Sequence, residues 1–189
     1  MGNRLLPSLA LCLAGLAATP VLAETPPLAE LAQPGRVLML RHATAPGFGD
    51  PPEFRLGDCS TQRNLDATGR AQATALGERL RAAGLGEARV FSSAWCRCQE
   101  TARLLNLGPV EPLPALNSFF QDPAAREARI RALRDFLAAQ PVDGPPLILV
   151  THQVTISAIS GGGTPSGGGA LFALNGTGEP TPLGAVAPP

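Results

Sequence analysis

Two short apolar runs constrain this 189-residue chain more than any other feature. Val37-Leu38-Met39-Leu40 and, after Pro146, Leu147-Ile148-Leu149-Val150 are continuous rather than alternating. A strand with one wet face alternates apolar with polar residues. A continuous run this short reads as a strand covered on both faces, as in the centre of a parallel sheet. Arg89-Val90-Phe91-Ser92 reads as a third strand. Helical spacing fills the intervals. Leu65 to Gly84 places Ala67, Ala71, Ala75 or Leu76, Leu80 and Ala83 on one face, with Asp66 or Thr68 as cap and Gly84 as the stop. Arg97 to Leu105 reads as a short helix closed by Gly108-Pro109. Asp122-Pro123 opens another, with Asp as N-cap and Pro at the first helical position, running to about Gln140 with Ile130, Leu133, Phe136 and Leu137 on one face. A short helix follows from about Val154. Gly161 to Gly169 is a flexible Gly-rich loop, and Ala170–Asn175 and Leu183–Ala187 are short strands. Strands alternating with helices predict an α/β fold, a three-layer α/β/α sandwich with a mostly parallel central sheet.

The ends of this pattern differ in character. Residues 1–23 read as a signal peptide: Arg4 is a short basic region, Leu5 to Ala18 is apolar, and Val21-Leu22-Ala23 is a small-residue cleavage pattern. The stretch is short for a membrane span, so an exported protein, periplasmic or secreted, is expected, with a membrane-anchored form keeping its leader as the alternative. Residues 24–35 are Pro-rich and read as a linker, leaving 36–189 as a single domain. Export sets an oxidising context for Cys59, Cys96 and Cys98. Cys96 and Cys98 stand too close for an easy mutual bond, so Cys59 is expected to pair with Cys96 or Cys98. The rival reading is a zinc site of these three and a histidine, which lacks a CxxC pair.

Composition narrows the chemistry. Fifteen basic residues balance fifteen acidic ones, which excludes nucleic-acid binding driven by net charge. All fifteen are Arg, so no reaction can use a lysine amine. Only two histidines exist, which excludes metal sites built from several imidazoles. Both follow the apolar runs directly, as Arg41-His42 and Thr151-His152. Ligands of open α/β sheets sit outside the carboxyl ends of the strands. Arg41, His42, Arg97 and His152 therefore come from three such ends and can converge. Two imidazoles and two guanidiniums suit a doubly charged anion, because the planar Arg fork matches phosphate oxygens. The helix near Val154 would add its positive end. The long loop 43–62, with three Pro and three Gly, has a length usually tied to function.

These residues carry a resemblance. The chain resembles the histidine phosphatase superfamily in its phosphoglycerate mutase-like branch. The Arg-His-Gly hallmark stands here as Arg41-His42-Ala43. The Ser-Ser-Pro-x-x-Arg motif stands as Ser92-Ser93-Ala94-Trp95-Cys96-Arg97, followed by Thr101-Ala102. The late Val-Ser/Thr-His-Gly motif stands as Val150-Thr151-His152-Gln153, and Gly69, Gln72 and Ala73 fit the family's helix start. The resemblance implies a metal-independent and cofactor-free phosphohydrolase acting on a phosphomonoester or related small phosphorylated compound. His42 would be the nucleophile that forms a phosphohistidine, and Arg41, Arg97 and His152 would hold the phosphoryl oxygens. The chain departs from the family where a Leu-x-Glu segment supplies the leaving-group acid. The matching stretch, Pro114 to Phe120, holds no acid. Asp122 is the nearest candidate and Glu111 a poorer one, and Asp122 before Pro is first of all an N-cap. The missing acid favours one alternative, a catalytically weak anion-binding or phosphate-binding protein of the same fold. A phosphomutase is the other. Specificity would come from loops 43–62, 109–125 and 161–169, whose few charges are Asp50, Glu53, Arg55, Asp58, Glu111 and Asp122.

Overall fold

The computed structural model describes residues 28–189. The expected leader, 1–23, lies outside them. Six strands and four α-helices follow in the order β1 (Arg36–Arg41), α1 (Ala67–Ala82), β2 (Arg89–Ser92), α2 (Cys96–Leu105), β3 (Val110–Pro112), α3 (Arg126–Ala138), β4 (Leu147–Thr151), α4 (Gln153–Ser160), β5 (Gly169–Ala173) and β6 (Thr181–Val186). They form one sheet in the order β3-β2-β4-β1-β5-β6. The four strands from β3 to β1 are mutually parallel, and β5 and β6 run antiparallel at the far side.

The continuous apolar runs occupy the centre, as their composition requires. In β1, Leu38 and Leu40 pack with Leu76 and Leu80 of α1, Leu105 of α2, and Ile148 and Val150. Val37 and Met39 point the other way, toward Leu133 and Leu137 of α3, Ile156 of α4, and Leu147 and Leu149. Successive side chains of a strand face opposite sides, so each run must be apolar throughout to seat helices on both. The result is the expected three-layer sandwich.

The helices begin and end for local reasons. Asp66 caps α1 by accepting from the Gly69 amide at 2.7 Å. Gly69 and Gly77 are buried in α1 where backbone passes close by. A Cβ at Gly69 would lie 2.0 Å from the Thr44 carbonyl oxygen, and one at Gly77 would lie 2.1 Å from that of Leu105. Gly69 thereby brings the loop after β1 onto the helix, and Gly77 lets α1 press against the end of α2.

Four local readings need correction. Residues 28–35 are packed, not a free linker: Leu28–Ala32 form a 3-10 helix, Leu31 is 1% exposed in the core, and Glu30 pairs with Arg36 at 2.5 Å. Its Pro and Gly content masked one well-placed leucine. The strand β3 was not anticipated, since its three residues lie at the sheet edge and include Pro112, which an edge tolerates. Asp122 opens only a 3-10 turn, Pro123–Ala125, and its side chain makes no cap bond; α3 starts at Arg126. The final strands begin earlier than expected, at Gly169 and Thr181. Among the described residues no helix is long and apolar enough to cross a membrane.

Cys59 is bonded to Cys96, across 37 residues, and Cys98 is free and buried. The zinc reading is therefore set aside, because two of its thiolates are consumed. The disulfide ties the end of the long loop to the first residue of α2. Closing a loop of this length stabilises a fold by roughly 3–4 kcal/mol. Cys59→Ser is expected to lower unfolding free energy by that amount in denaturant titration. Gly77→Ala is expected to lower it by about 1–3 kcal/mol through overpacking, although alanine is the better helix former.

Candidate active site

The register of β1 on β4 brings the two histidines together. Leu40 pairs with Val150 and Arg41 with Thr151, so residues 42 and 152 leave adjacent strands at the same level. The His42 amide donates to the Thr151 carbonyl at 3.0 Å. The two rings meet edge to face with centroids 5.6 Å apart. On the other side of β4, Ser92 pairs with Val150, which sets the turn leading to Arg97 in the first turn of α2. A pocket of about 560 Å³ opens here, and Arg41, His42, Arg97 and His152 all line it.

The His42 imidazole is held in a defined tautomer. Nδ1 of His42 lies 2.8 Å from the carbonyl oxygen of Ala43. A carbonyl only accepts, so Nδ1 carries the proton and Nε2 of the neutral ring keeps its lone pair. Nε2 of His152 lies 2.9 Å from Ser93 Oγ, which also accepts from the Trp95 amide at 3.2 Å. That bond leaves Nδ1 of His152 for other partners. The Cys98 thiol donates to the Thr151 carbonyl at 3.5 Å and sits 3.5 Å from the same Nε2, and burial pushes its pKa up to about 12. It is an inert packing group.

The cations are anchored in different ways. Arg41 donates through Nη1 to Gln153 Oε1 at 2.9 Å and to the Thr164 carbonyl at 2.8 Å. Gln153, where the family motif has Gly, is thus a prop for Arg41. Arg97 makes a buried bidentate pair with Asp50, Nη1 to Oδ1 at 2.7 Å and Nη2 to Oδ2 at 3.0 Å, with the side chains 4% and 2% exposed. Asp50 also accepts from Trp95 Nε1 at 3.0 Å and from the Arg63 amide at 3.0 Å. The Nε atoms of Arg41 and Arg97 are buried with no partner among the described residues. Donors left in this condition cost free energy until an acceptor meets them.

Sequence reasoning missed two members of this cluster. Arg63 lines the pocket, with Nε on the Gly49 carbonyl at 2.9 Å and Nη1 on that of Ala45. Asp50 was seen only as a loop charge. No spacing rule links residue 50 to residue 97 across a coil; the one available signal for Arg63 was a basic residue just before the Asp66 cap. The proposed acid does not reach the site. Asp122 is outside the pocket wall and lies 3.7 Å from Arg129, and Glu111 lies on β3 at the sheet edge. Asp50 is the single carboxylate among the lining residues. Burial opposes its charge, but the hydrogen bonds from Arg97 and Arg63 outweigh this and hold its pKa below the usual range. It is ionised and has no proton to donate.

Burial, then the positive field of Arg97, lowers the His42 pKa from 6.5 to about 3. Burial and the neighbouring His42 and arginines push His152 down as well. Both rings are neutral in the folded protein at neutral pH. The folded pKa of His42 lies below its unfolded value, so its contribution to stability is complete above pH 6.5 and is lost as pH falls toward 3; that of His152 is lost in the same direction. Protonation of His42 is expected to cost about 1.4 kcal/mol per pH unit in that window. Denaturant unfolding across it should show a steep loss for the wild type and a shallower one for His42→Asn.

Residues 37–120 match the model of the histidine phosphatase superfamily (branch 1), a span that includes Arg41, His42 and Arg97. No curated protein matches the chain. Among solved structures, the chain is similar to the protein histidine phosphatase SixA complexed with tungstate (19% identity, TM-score 0.53, covering 80% of this chain and 96% of that one). It is also similar to mycobacterial hydrolase 1 (18%, 0.58, 79% and 96%). A third is the mycobacterial glucosyl-3-phosphoglycerate phosphatase with VO3 (19%, 0.54, 78% and 95%). These structures share the sheet and helix arrangement over nearly their whole length. The matched segment carries the Arg-His pair at the end of β1, so the chain is similar to the histidine phosphatase superfamily over that segment and shares the fold of these structures.

Proposed function

We propose that the protein is an exported, metal-independent phosphohydrolase working through a phosphohistidine on His42. The observation that carries this is the Nδ1 bond to the Ala43 carbonyl in a ring kept neutral by burial. It presents an unprotonated Nε2 toward a cationic pocket. In the first step Nε2 of His42 attacks phosphorus, the N–P bond forms, and the bond to the leaving oxygen breaks with its electron pair going to that oxygen. In the second, water attacks phosphorus, the N–P pair returns to Nε2, and the water proton passes to solvent or phosphate. Two easier displacements replace one hard one.

Arg41, Arg97 and Arg63, with His152 through Nδ1, would hold the nonbridging oxygens. The buried Nε groups of Arg41 and Arg97 are the donors that a phosphoryl group would satisfy. Preorganised positive charge of this kind needs no reorganisation as the transition state forms. The anions seen in two structurally similar proteins, tungstate and VO3, have the shape and charge of such a group. The disulfide fits an oxidising compartment.

One observation favours a second reading. Among the described residues the pocket holds no free acid, and its one carboxylate already occupies the Arg97 fork. A protein that binds phosphate with little turnover would look the same. Phosphate release from an aryl phosphate separates the two. The wild type is expected to turn over, and His42→Ala to lose about a thousandfold or more, as for loss of a nucleophile in other covalent enzymes. Acid-labile phosphate should be trapped on His42 after rapid denaturation in base. Phosphate binding without turnover in the wild type would establish the binding reading instead.

A further inference from the structure

The pocket is much larger than a phosphoryl group. Its volume of about 560 Å³ falls in the range of roughly 300–1,000 Å³ that holds a whole small molecule. Apolar side chains line part of it. Phe48 comes from the loop after β1, Phe119 and Phe120 from the segment before α3, and Val154 and Ala158 from α4. Phe48 is 89% exposed and Phe120 45% exposed. Their rings meet edge to face, with centroids 5.1 Å apart at 88°.

This aromatic pair is positioned against the phosphate end. The Asp50 amide donates to Gln121 Oε1 at 3.0 Å, and Gln121 Nε2 donates to the Asp50 carbonyl at 3.2 Å. The two Phe-bearing loops are thereby pinned together one residue away from Phe120. Asp50 in turn grips Arg97. A chain of hydrogen bonds thus runs from the cation cluster to the aromatic rim.

Charge and proton supply narrow the ligand further. Away from the phosphate end, the one charged side chain among the lining residues is Arg126. A cationic leaving group finds no counter-charge there. No lining residue can protonate a departing oxygen, because Asp50 is ionised and paired. A leaving group must then be stable as an anion, and a phenolic oxygen is, since its ring delocalises the charge.

We propose that this pocket takes phosphoryl compounds whose leaving group is an aromatic ring bearing the ester oxygen, seated against Phe48 and Phe120. The assignment rests on the phosphatase reading for its chemistry, though the aromatic subsite can be tested without turnover. In the reaction the P–O bond breaks, the aryl oxide keeps the electron pair, and it takes its proton from water after release.

The test measures binding of phenylphosphonate and methylphosphonate to the full chain, and turnover of phenyl phosphates graded in leaving-group acidity. Phenylphosphonate should bind on the order of tenfold tighter than methylphosphonate. The ratio should shrink toward one in Phe48→Ala/Phe120→Ala, and part of the way in Phe48→Ala alone, a change at a side chain too exposed to threaten folding. Turnover should rise steeply with leaving-group acidity and exceed that of alkyl phosphates. Equal affinity for the two phosphonates, or a ratio untouched by both variants, overturns the aromatic subsite. Loss of the phosphatase reading looks different: no His42-dependent turnover of any ester, with the phosphonate ratio intact and the aromatic subsite upheld as a ligand site.

Discussion

The parallel ladder between β1 and β4 is the constraint on which the site depends. A parallel pair delivers both strand ends to the same edge of the sheet. Register then decides whether the residues just beyond those ends meet. With Arg41 opposite Thr151, His42 and His152 emerge side by side. A slip of one residue would also turn every apolar side chain of β1 to the opposite face. The packing of Leu38 and Leu40 against one helix layer, and of Val37 and Met39 against the other, therefore locks the register that aligns the imidazoles.

Electrostatics at this edge are concentrated and unbalanced. Arg41, Arg63 and Arg97 surround two neutral histidines and share one lining carboxylate near them. Burial and the arginine field together keep the histidines unprotonated. The same field that stops His42 from taking a proton attracts an anion to it, so a single arrangement yields a free nitrogen lone pair and an anion-binding pocket. Asp50 moderates this by holding Arg97, while its backbone fastens Gln121 and hence the aromatic rim. The disulfide joins the end of the same loop to the start of the Arg97 helix.

The parts legible in the sequence are those governed by local rules. The apolar runs announced strands covered on both sides, Asp66 announced the cap of α1, and the two histidines stood at strand ends. The misread parts depended on partners far along the chain. Leu31 looked like part of a linker because its cover comes from the core. Three-residue β3 has too little sequence to show a period. Asp122 had the composition of a cap, yet its turn tightens into a 3-10 form in which its carboxylate makes no cap bond.

The sequence by itself determined the layer architecture and the candidate residues Arg41, His42, Arg97 and His152, because burial on two faces and strand-end placement are written in neighbouring residues. Tertiary structure alone decided that Arg63 joins them and that Asp50 takes the Arg97 fork. It also chose Cys96 over Cys98 as the partner of Cys59, and brought Phe48 beside Phe120. Each of these is a meeting between an irregular loop and a distant element. A loop carries no period from which its partner could be read, so such meetings are decided only when the sheet and its helices have closed around it.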